Sequence, residues 1–219
     1  MTHQNARKAG WSRSRRRIMD VAVRLYREIG YRKTTVADVA RGASMSPANV
    51  YRFFPSRQAL EEAVVAALLD KIFLAAATAA GSDASALERL GATLSTLSQV
   101  HEDRLANDAR LHELVATAVH ANYPVVLAFA DRIRGVVRSI IEAGQASGEI
   151  RPGSPMVLAC CLLDAMDAYA GPSPTKSSTV RPTFEEMMKF CAYALRNDTP
   201  LQSIGAQRNA WSTAVIYQS

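Results

Sequence analysis

Two helical segments of only about seven residues, joined by a short turn, limit the possible folds of this chain more than any other feature. The first begins with a capping box, in which the Thr35 hydroxyl and the Asp38 carboxylate satisfy early amides of the helix. The second begins at Ser46, an N-cap followed by proline at the first helical position, and is predicted to end near Phe53. Such short helices do not persist alone in water because nucleation is costly, so tertiary packing must hold both of them.

A longer helix is predicted on each side of this pair. The preceding helix is expected from Ser12 to about Ile29, with Gly30 at its end and a flexible basic arm at 1–11 before it. The following helix is expected from Arg57 to about Ala80, without an internal glycine or proline. The apolar positions of the preceding helix are Ile18, Val21, Ala22, Leu25 and Ile29.

The positive charge of the chain is concentrated in its first 60 residues. This segment carries 13 lysine and arginine residues against three acidic residues, a net charge of +10, whereas the remaining residues carry 13 and 17, a net charge of −4. Of the 26 cations in the whole chain 21 are arginines, and arginine holds phosphate groups through its planar fork. A basic head on a mildly acidic body indicates a polyanionic partner at the first quarter of the chain.

The rest of the chain has no sustained alternation of apolar and polar residues, so strands are not expected. The expected fold class is all-α, with an N-terminal three-helix helix-turn-helix domain joined by the long fourth helix to an all-helical body. Helices of the body are predicted near 84–100, 107–121, 123–146, 155–170 and 182–196, and 171–182 is predicted to be a surface loop. The predicted divisions are an arm at 1–11, a head at 12–57, a body at 58–197 and a tail at 198–219.

The second short helix is predicted to present an exposed face. Its apolar positions can pack on the first short helix, while small residues at its start would let the backbone approach a DNA duplex, whose major groove admits one helix. Asn49 and Arg52 are side-chain types that read adenine and guanine edges through paired hydrogen bonds. The outward positions are Pro47, Ala48, Asn49, Tyr51 and Arg52.

A run of three arginines, residues 15–17, stands at the start of the first predicted helix. Cations are poorly placed there because the helix macrodipole is positive at its N-terminus, and a nearby phosphate removes that penalty. Arg15 and Arg16 are therefore predicted to contact the DNA backbone. An ordinary solvated helix start is the alternative interpretation.

A spaced set of residues between Ser12 and Ala67 carries a family pattern. The matching residues are Gly30, Tyr31, Thr34, Thr35, Val36, Asp38, Val39, Ala40, Ser46, Val50, Tyr51, Phe54 and Leu60. Together with the short third helix and the long fourth helix, they make this segment resemble the TetR family of transcriptional regulators. The resemblance implies a homodimeric repressor whose C-terminal domain binds a small ligand and forms the dimer. It also implies DNA contacts at Thr35 or Val36, Ser46, Pro47, Ala48, Asn49, Tyr51, Arg52, Phe53 and Arg57.

The segment departs from the family pattern at three positions. Ser44 stands where glycine is usual in the turn, and it would strain a left-handed backbone modestly. Ala48 replaces a common glycine, which is harmless inside a helix. Phe53 stands where the family often has tyrosine or histidine, so a phosphate hydrogen bond from that side chain is lost.

The implied effector site is predicted among the helices of the body near 84–146. Most apolar residues there are expected to belong to the ordinary core, with polar residues inserted among them. A small, apolar effector is predicted, and the DNA partner is predicted to be a double-stranded, near-palindromic operator. The candidate ligand-binding residues are Leu97, Arg104, His112, Val115, Asn122, Tyr123, Phe129 and Ile133.

The run from Met156 to Met166 is hydrophobic on more than one face, which exceeds what one core contact needs. It is predicted to form a homodimer interface together with residues 183–195. Leu162 and Ala192 are the candidate interface positions.

No metal site, cofactor or catalytic centre is expected. His112 and His120 lie two helical turns apart, roughly 12 Å, which is too far for both to bind one metal ion directly. His101, Glu102 and Asp103 could suggest acid–base chemistry, but no glycine-rich loop or nucleophile accompanies them. The three cysteines have no framework spacing, and neither a signal peptide nor a run of 18 apolar residues is present, so a cytoplasmic protein outside the membrane is predicted.

Two other functions are compatible with a basic head. A protein of this charge could coat DNA or an acidic membrane surface without sequence choice and without an effector, although the capped helix-turn-helix argues against it. An enzyme whose head docks it on nucleic acid is the other alternative.

Overall fold

The computed structural model describes residues 2–170 and 182–197, and over these residues the fold is all-α, as predicted. The predicted tail at 198–219, and the predicted loop at 171–182 apart from Pro182, lie outside the described residues. The described helices are α1 (Thr2–Ile29), α2 (Val36–Gly42), α3 (Pro47–Phe53), α4 (Arg57–Ala80), α5 (Ala86–Asn107), α6 (Ala109–His120), α7 (Pro124–Ala146), α8 (Pro155–Ala170) and α9 (Phe184–Leu195).

Helix α1 begins at Thr2, which corrects the prediction of a flexible arm at 1–11 and a helix start at Ser12. The added segment contains glutamine, alanine, arginine and lysine, which are good helix formers, and no proline. Extending an existing helix adds one hydrogen bond for each residue fixed, so the extension does not need an apolar face. The prediction failed because it treated missing apolar periodicity as missing helix.

The buried face of α1 also differs from the prediction near its end. Ile18 and Ala22 are fully buried, whereas Ile29 is 43% exposed. Tyr26 is buried instead, and its ring meets the Tyr31 ring edge-on with the centroids 6.5 Å apart. This aromatic pair fixes the end of α1 against the segment that leads into α2.

The two short helices begin at their predicted caps. The Thr35 side chain accepts a hydrogen bond from the Asp38 amide, and the Asp38 carboxylate accepts one from the Thr35 amide. The Ser46 hydroxyl accepts a hydrogen bond from the Asn49 amide at 3.2 Å, which fixes the start of α3. The start of each helix in the pair is thus set by its own sequence.

The pair is held to the head by buried apolar side chains. Val39 of α2 and Val50 of α3 are fully buried in the core that also contains Ile18 of α1. Between the two helices Ser44 takes a φ of 55°, the left-handed conformation predicted for this turn.

Helix α4 joins the head to the body. It packs against α1, α5, α6 and α7, and its buried residues extend from Leu60 near its start to Ala80 at its end. By length and composition alone α4 is apolar enough to cross a membrane. Its packing makes it a core helix of this fold.

Helices α5 to α8 form the body around α4, with α6 and α7 meeting at an angle of 87°. Helix α5 runs to Asn107, seven residues past its predicted end. The extension contains good helix formers, and it brings His101 and Arg104 to the same cavity as His112 of α6.

Candidate nucleic-acid interface and ligand cavity

The exposed face of α3 is the first candidate site. Pro47, Ala48 and Arg52 are exposed, and Tyr51 is 47% exposed. Asn49 is half-buried on the same short helix. The face therefore combines small residues, which permit close approach, with a phenol, an amide and a guanidinium that can hydrogen-bond to phosphates and base edges.

Thr35 and Val36 stand at the start of α2 in different surroundings. The Thr35 hydroxyl is exposed but already donates to the Asp38 carboxylate at 2.6 Å, so a phosphate contact would have to share it with the cap. Val36 is half-buried and packs on the core of the head.

Arg15 and Arg16 are exposed on α1. The Arg15 guanidinium lies over the Phe54 ring, 5.0 Å from its centroid, so this cation sits beside the end of α3. The neighbouring Phe53 is half-buried, and its ring stacks on Trp11 with the centroids 4.0 Å apart. The contact of Trp11 with Phe53 was not predicted because Trp11 lay in the predicted arm. A large aromatic residue among polar ones could have indicated that this part of the chain packs on the head.

Arg57 has a structural role that its predicted DNA contact does not account for. Its Nε donates to the buried Glu61 at 2.8 Å, and its Nη2 donates to the Tyr31 carbonyl at 2.8 Å and to the Arg32 carbonyl at 3.2 Å. These bonds tie the first turn of α4 to the segment after α1. Any DNA contact by this residue is left to Nη1, which has no partner among the described residues.

A cavity of about 300 Å³ in the body is the second candidate site. Six of the eight predicted ligand-binding residues line it: Leu97, Arg104, His112, Val115, Phe129 and Ile133. The predicted ligand-binding residues did not include the other lining residues, which are Leu69, Ile72, His101, Val119, Val126, Ala130, Arg134, Leu163, Asp164 and Asp167. The lining residues of α4 and α8 were not predicted because the apolar pattern of a single helix does not show which of its inward-facing residues border a cavity.

Asn122 and Tyr123 do not line the cavity, which corrects their predicted placement. Both lie in the sharp bend between α6 and α7. Asn122 takes a φ of 50° there and is exposed, while the Tyr123 amide donates to the Ala118 carbonyl at 2.9 Å. The bend that separates the two helices carries these residues away from the lining.

Three nitrogen-bearing side chains gather at one part of the cavity wall. The rings of His101 and His112 lie with their centroids 5.2 Å apart, and Arg104 lines the same cavity. Burial lowers the pKa of both histidines below its usual value, and the Arg104 charge lowers both further. Burial also lowers the pKa of Arg104, although the nearby Asp108 carboxylate acts in the opposite direction. Within the described residues no group of three or more histidine, cysteine, aspartate or glutamate residues is placed to hold a metal ion.

Helix α6 connects the body to the head through side chains that do not line the cavity. Asp108, just before α6, pairs with Arg27 at 2.7 Å, and Glu113 pairs with Arg32 at 3.2 Å. The hydroxyls of Thr117 and Tyr31 are hydrogen-bonded at 2.9 Å. These contacts extend over most of the length of the helix.

An apolar surface of α8 and α9, formed by Met156, Val157, Phe190 and Tyr193, is strongly exposed. Phe190 is 68% exposed and Tyr193 is 71% exposed, values that are high for large apolar side chains. Leu162, one of the predicted interface positions, is instead buried within its own chain, and Ala192 is half-buried.

The capped pair α2–α3 on a basic head defines a helix-turn-helix DNA-binding protein. Residues 18–64 match the family model of the bacterial regulatory proteins of the tetR family, and residues 86–189 match that of the tetracyclin repressor-like C-terminal domain. The chain therefore belongs to the TetR family of transcriptional regulators, as its sequence predicted. Proteins of this family bind operator DNA and are not enzymes.

Individual relatives agree with this assignment. The HTH-type transcriptional repressor KstR2 of Mycobacterium tuberculosis (strain ATCC 25618 / H37Rv) is 34% identical over 85 residues, so the match spans 38% of this chain and only 42% of that relative. A transcriptional regulator of the TetR/AcrR family from Thermobifida fusca YX-ER1 has a similar structure, with a TM-score of 0.59, 23% identity, and coverage of 84% of this chain and 97% of that one. AibR in complex with isovaleryl coenzyme A and operator DNA has a TM-score of 0.51 and 19% identity, with coverage of 84% and 98%. The two structural likenesses concern the fold.

Proposed function

We propose that this chain is a dimeric transcriptional repressor that binds a near-palindromic operator through α3 and leaves it when a small molecule occupies the body cavity. The double role of α6 carries the proposal. His112, Val115 and Val119 of this helix line the cavity, while Glu113 and Thr117 of the same helix contact the head. A ligand that displaces α6 therefore acts directly on the support of the head.

On the operator, Asn49 and Arg52 read base edges in the major groove, while Arg15, Arg16 and Tyr51 contact phosphates. This division follows from side-chain chemistry and exposure, since most protein–DNA hydrogen bonds go to phosphate and sugar. The small residues at the start of α3 permit close approach of its backbone. Operator binding places the site of action in the cytoplasm.

The dimer forms through the exposed apolar surface of α8 and α9. One head buries too little surface for specific recognition, so two heads related by a two-fold axis are required, and the operator reflects that symmetry. The exposed side chains of Met156, Val157, Phe190 and Tyr193 give this surface the apolar character of a permanent interface.

The experiment is selection of bound sequences from random DNA by the purified chain, followed by measurement of affinity for the selected site and a scrambled one. The proposal expects an enriched inverted repeat and binding at least about 10³-fold tighter than to scrambled DNA. The variant Arg52→Ala should lose much of this preference, while Arg138→Ala, an exposed arginine of α7, should retain it. Equal affinity for both DNAs would instead favour a non-specific coating protein.

A further inference from the structure

The cavity wall contains a cation that forms no ion pair with any described residue. Among the described residues the Arg104 side chain makes no hydrogen bond and no ion pair, although it lines the cavity. The negative charge of Asp108 acts on Arg104, but the Asp108 carboxylate accepts a hydrogen bond from Arg27 at 2.7 Å. An unpaired charge that is removed from bulk water is costly to a folded protein, so it indicates a missing partner.

A second unsatisfied group lies in the same place. The Nδ1 atom of His112 is buried and has no hydrogen-bond partner in the part of the chain that the structure describes, which is uncommon for a buried polar atom. The His101 ring is adjacent, with the ring centroids 5.2 Å apart. Arg104 offers up to five N–H donors and an imidazole offers one or two, so this part of the wall can donate several hydrogen bonds to one acceptor group.

The acidic lining residues come from another helix. Asp164 and Asp167 are exposed residues of α8, whereas the nitrogen-bearing group comes from α5 and α6. Arg134 of α7 also lines the cavity, but it is already paired with Asp131. Of the two lining arginines, Arg104 is therefore the one left to hold an anion, together with His112.

We propose that the cavity binds a small monocarboxylate with an apolar body, whose carboxylate is held by Arg104 and His112. The remaining lining, which includes Leu97, Val115 and Phe129, suits a hydrocarbon or aromatic body. The cavity volume of about 300 Å³ is at the lower end of the roughly 300–1,000 Å³ typical of small-molecule pockets. Carboxylate is preferred to phosphate because a mostly apolar wall with one free guanidinium neutralises a single negative charge.

This inference adds a carboxylate to the small apolar effector that the sequence predicted, and it rests on the proposed function only in taking the cavity as the effector site. The direct probe is a matched ligand pair, sodium octanoate and octanamide, which have the same size and shape but differ in charge. We expect titration calorimetry of the full chain to give octanoate an affinity at least about tenfold higher than octanamide, because charge-assisted hydrogen bonds are the stronger ones.

Two variants and one control identify the residues responsible. Arg104→Met should abolish the preference for octanoate, and His112→Leu should reduce it, while Arg138→Met, at an exposed arginine outside this cavity, should preserve it. Arg104→Met should also leave the melting temperature of the unliganded protein unchanged or higher, since it removes an unpaired charge. If Arg104 served only to stabilise the fold, Arg104→Met would melt at a lower temperature than the parent protein.

The outcomes separate this inference from the proposed function. Failure of octanoate to bind, equal binding of octanoate and octanamide, or an unchanged preference in Arg104→Met would overturn the carboxylate site. Selective octanoate binding that leaves operator affinity unaltered would support the site and count against its role as effector site. Release of the operator by a neutral compound that fills the cavity, with no charge preference, would support the proposed function and overturn the inference.

Discussion

At the scale of single residues, Ser44 carries the clearest backbone strain of the head. Its φ of 55° is left-handed, which costs an ordinary L-residue about 1–2 kcal/mol, whereas glycine tolerates it. Glycine also adds unfolded-state entropy worth about 0.4–1 kcal/mol, so Ser44→Gly should raise the free energy of unfolding by about 0.5 kcal/mol. Urea denaturation measures this. The matched change Ala48→Gly, inside α3, should lower the free energy of unfolding by roughly 0.5–1 kcal/mol. A Ser44→Gly protein that is less stable than the parent would show that Ser44 is unstrained.

We expect the two proposed groups of head residues, base readers and phosphate-binding residues, to respond differently to substitution. Asn49→Ala or Arg52→Ala should weaken discrimination at individual base pairs by roughly 1–3 kcal/mol. Arg16→Ala should leave discrimination intact and reduce the slope of log K against log salt by about 0.9 for each phosphate that the variant no longer neutralises. Binding titrations on single-base operator variants at several salt concentrations measure both effects. Equal weakening on every variant site would exclude Asn49 and Arg52 as base readers.

The two half-buried histidines of the cavity should make stability depend on pH. Burial lowers the pKa of His101 and of His112 in the folded protein, whereas both titrate near about 6.5 when unfolded. Below that value the unfolded chain binds more protons than the folded one, so stability falls as pH decreases towards the lowered pKa values.

Replacing both histidines by glutamine should flatten this dependence between about pH 7 and pH 5, as measured by denaturant unfolding at a series of pH values. His120→Gln, at the exposed end of α6, is the control and should keep the parental dependence. An unchanged pH profile in the double variant would mean that neither histidine is responsible.

At the scale of helices, α8 and α9 display the exposed apolar surface through which the dimer is proposed to form. Phe190→Asp should yield monomers with weak operator binding, because it places a charge on an exposed apolar surface without disturbing the protomer core. Leu162 is unsuitable for this test because it is buried within its own chain, so a charge there would unfold the protein. Leu74→Asp, at an exposed apolar residue of α4, is the matched control and should remain dimeric. Sedimentation velocity measures the state, and a Phe190→Asp monomer with full operator affinity would refute the requirement for a dimer.

At the scale of the whole molecule, the sequence predicted what local signals determine. Cap residues such as Thr35 and Ser46 set the starts of the short helices, and those starts agree with the structure. The extension of α5 beyond residue 100 was not predicted because polar helix formers give no apolar periodicity. The contact between His101 and His112 was not predicted either, because packing alone brings residues of two different helices together. The structural use of Arg57 was likewise hidden, because its acceptors are backbone carbonyls distant in sequence.

The contacts of α6 provide a route of communication between the cavity and the head. Cavity-lining residues of α6 and residues of the same helix that contact the head are neighbours in sequence, as in His112 and Glu113. A shift of this helix therefore reaches the head without passing through the length of α4. The proposed function requires coupling between the cavity and the operator site, and linkage makes that coupling reciprocal.

The most direct test measures the affinity of the dimer for one cavity-binding compound with and without operator DNA. The compound is one whose binding is abolished in Val119→Trp, a substitution that fills the cavity from α6. We expect the operator to weaken compound binding by roughly five- to 150-fold, and the compound to weaken operator binding by the same factor. Equal compound affinity with and without the operator would contradict coupling and leave the body as a dimerisation unit alone.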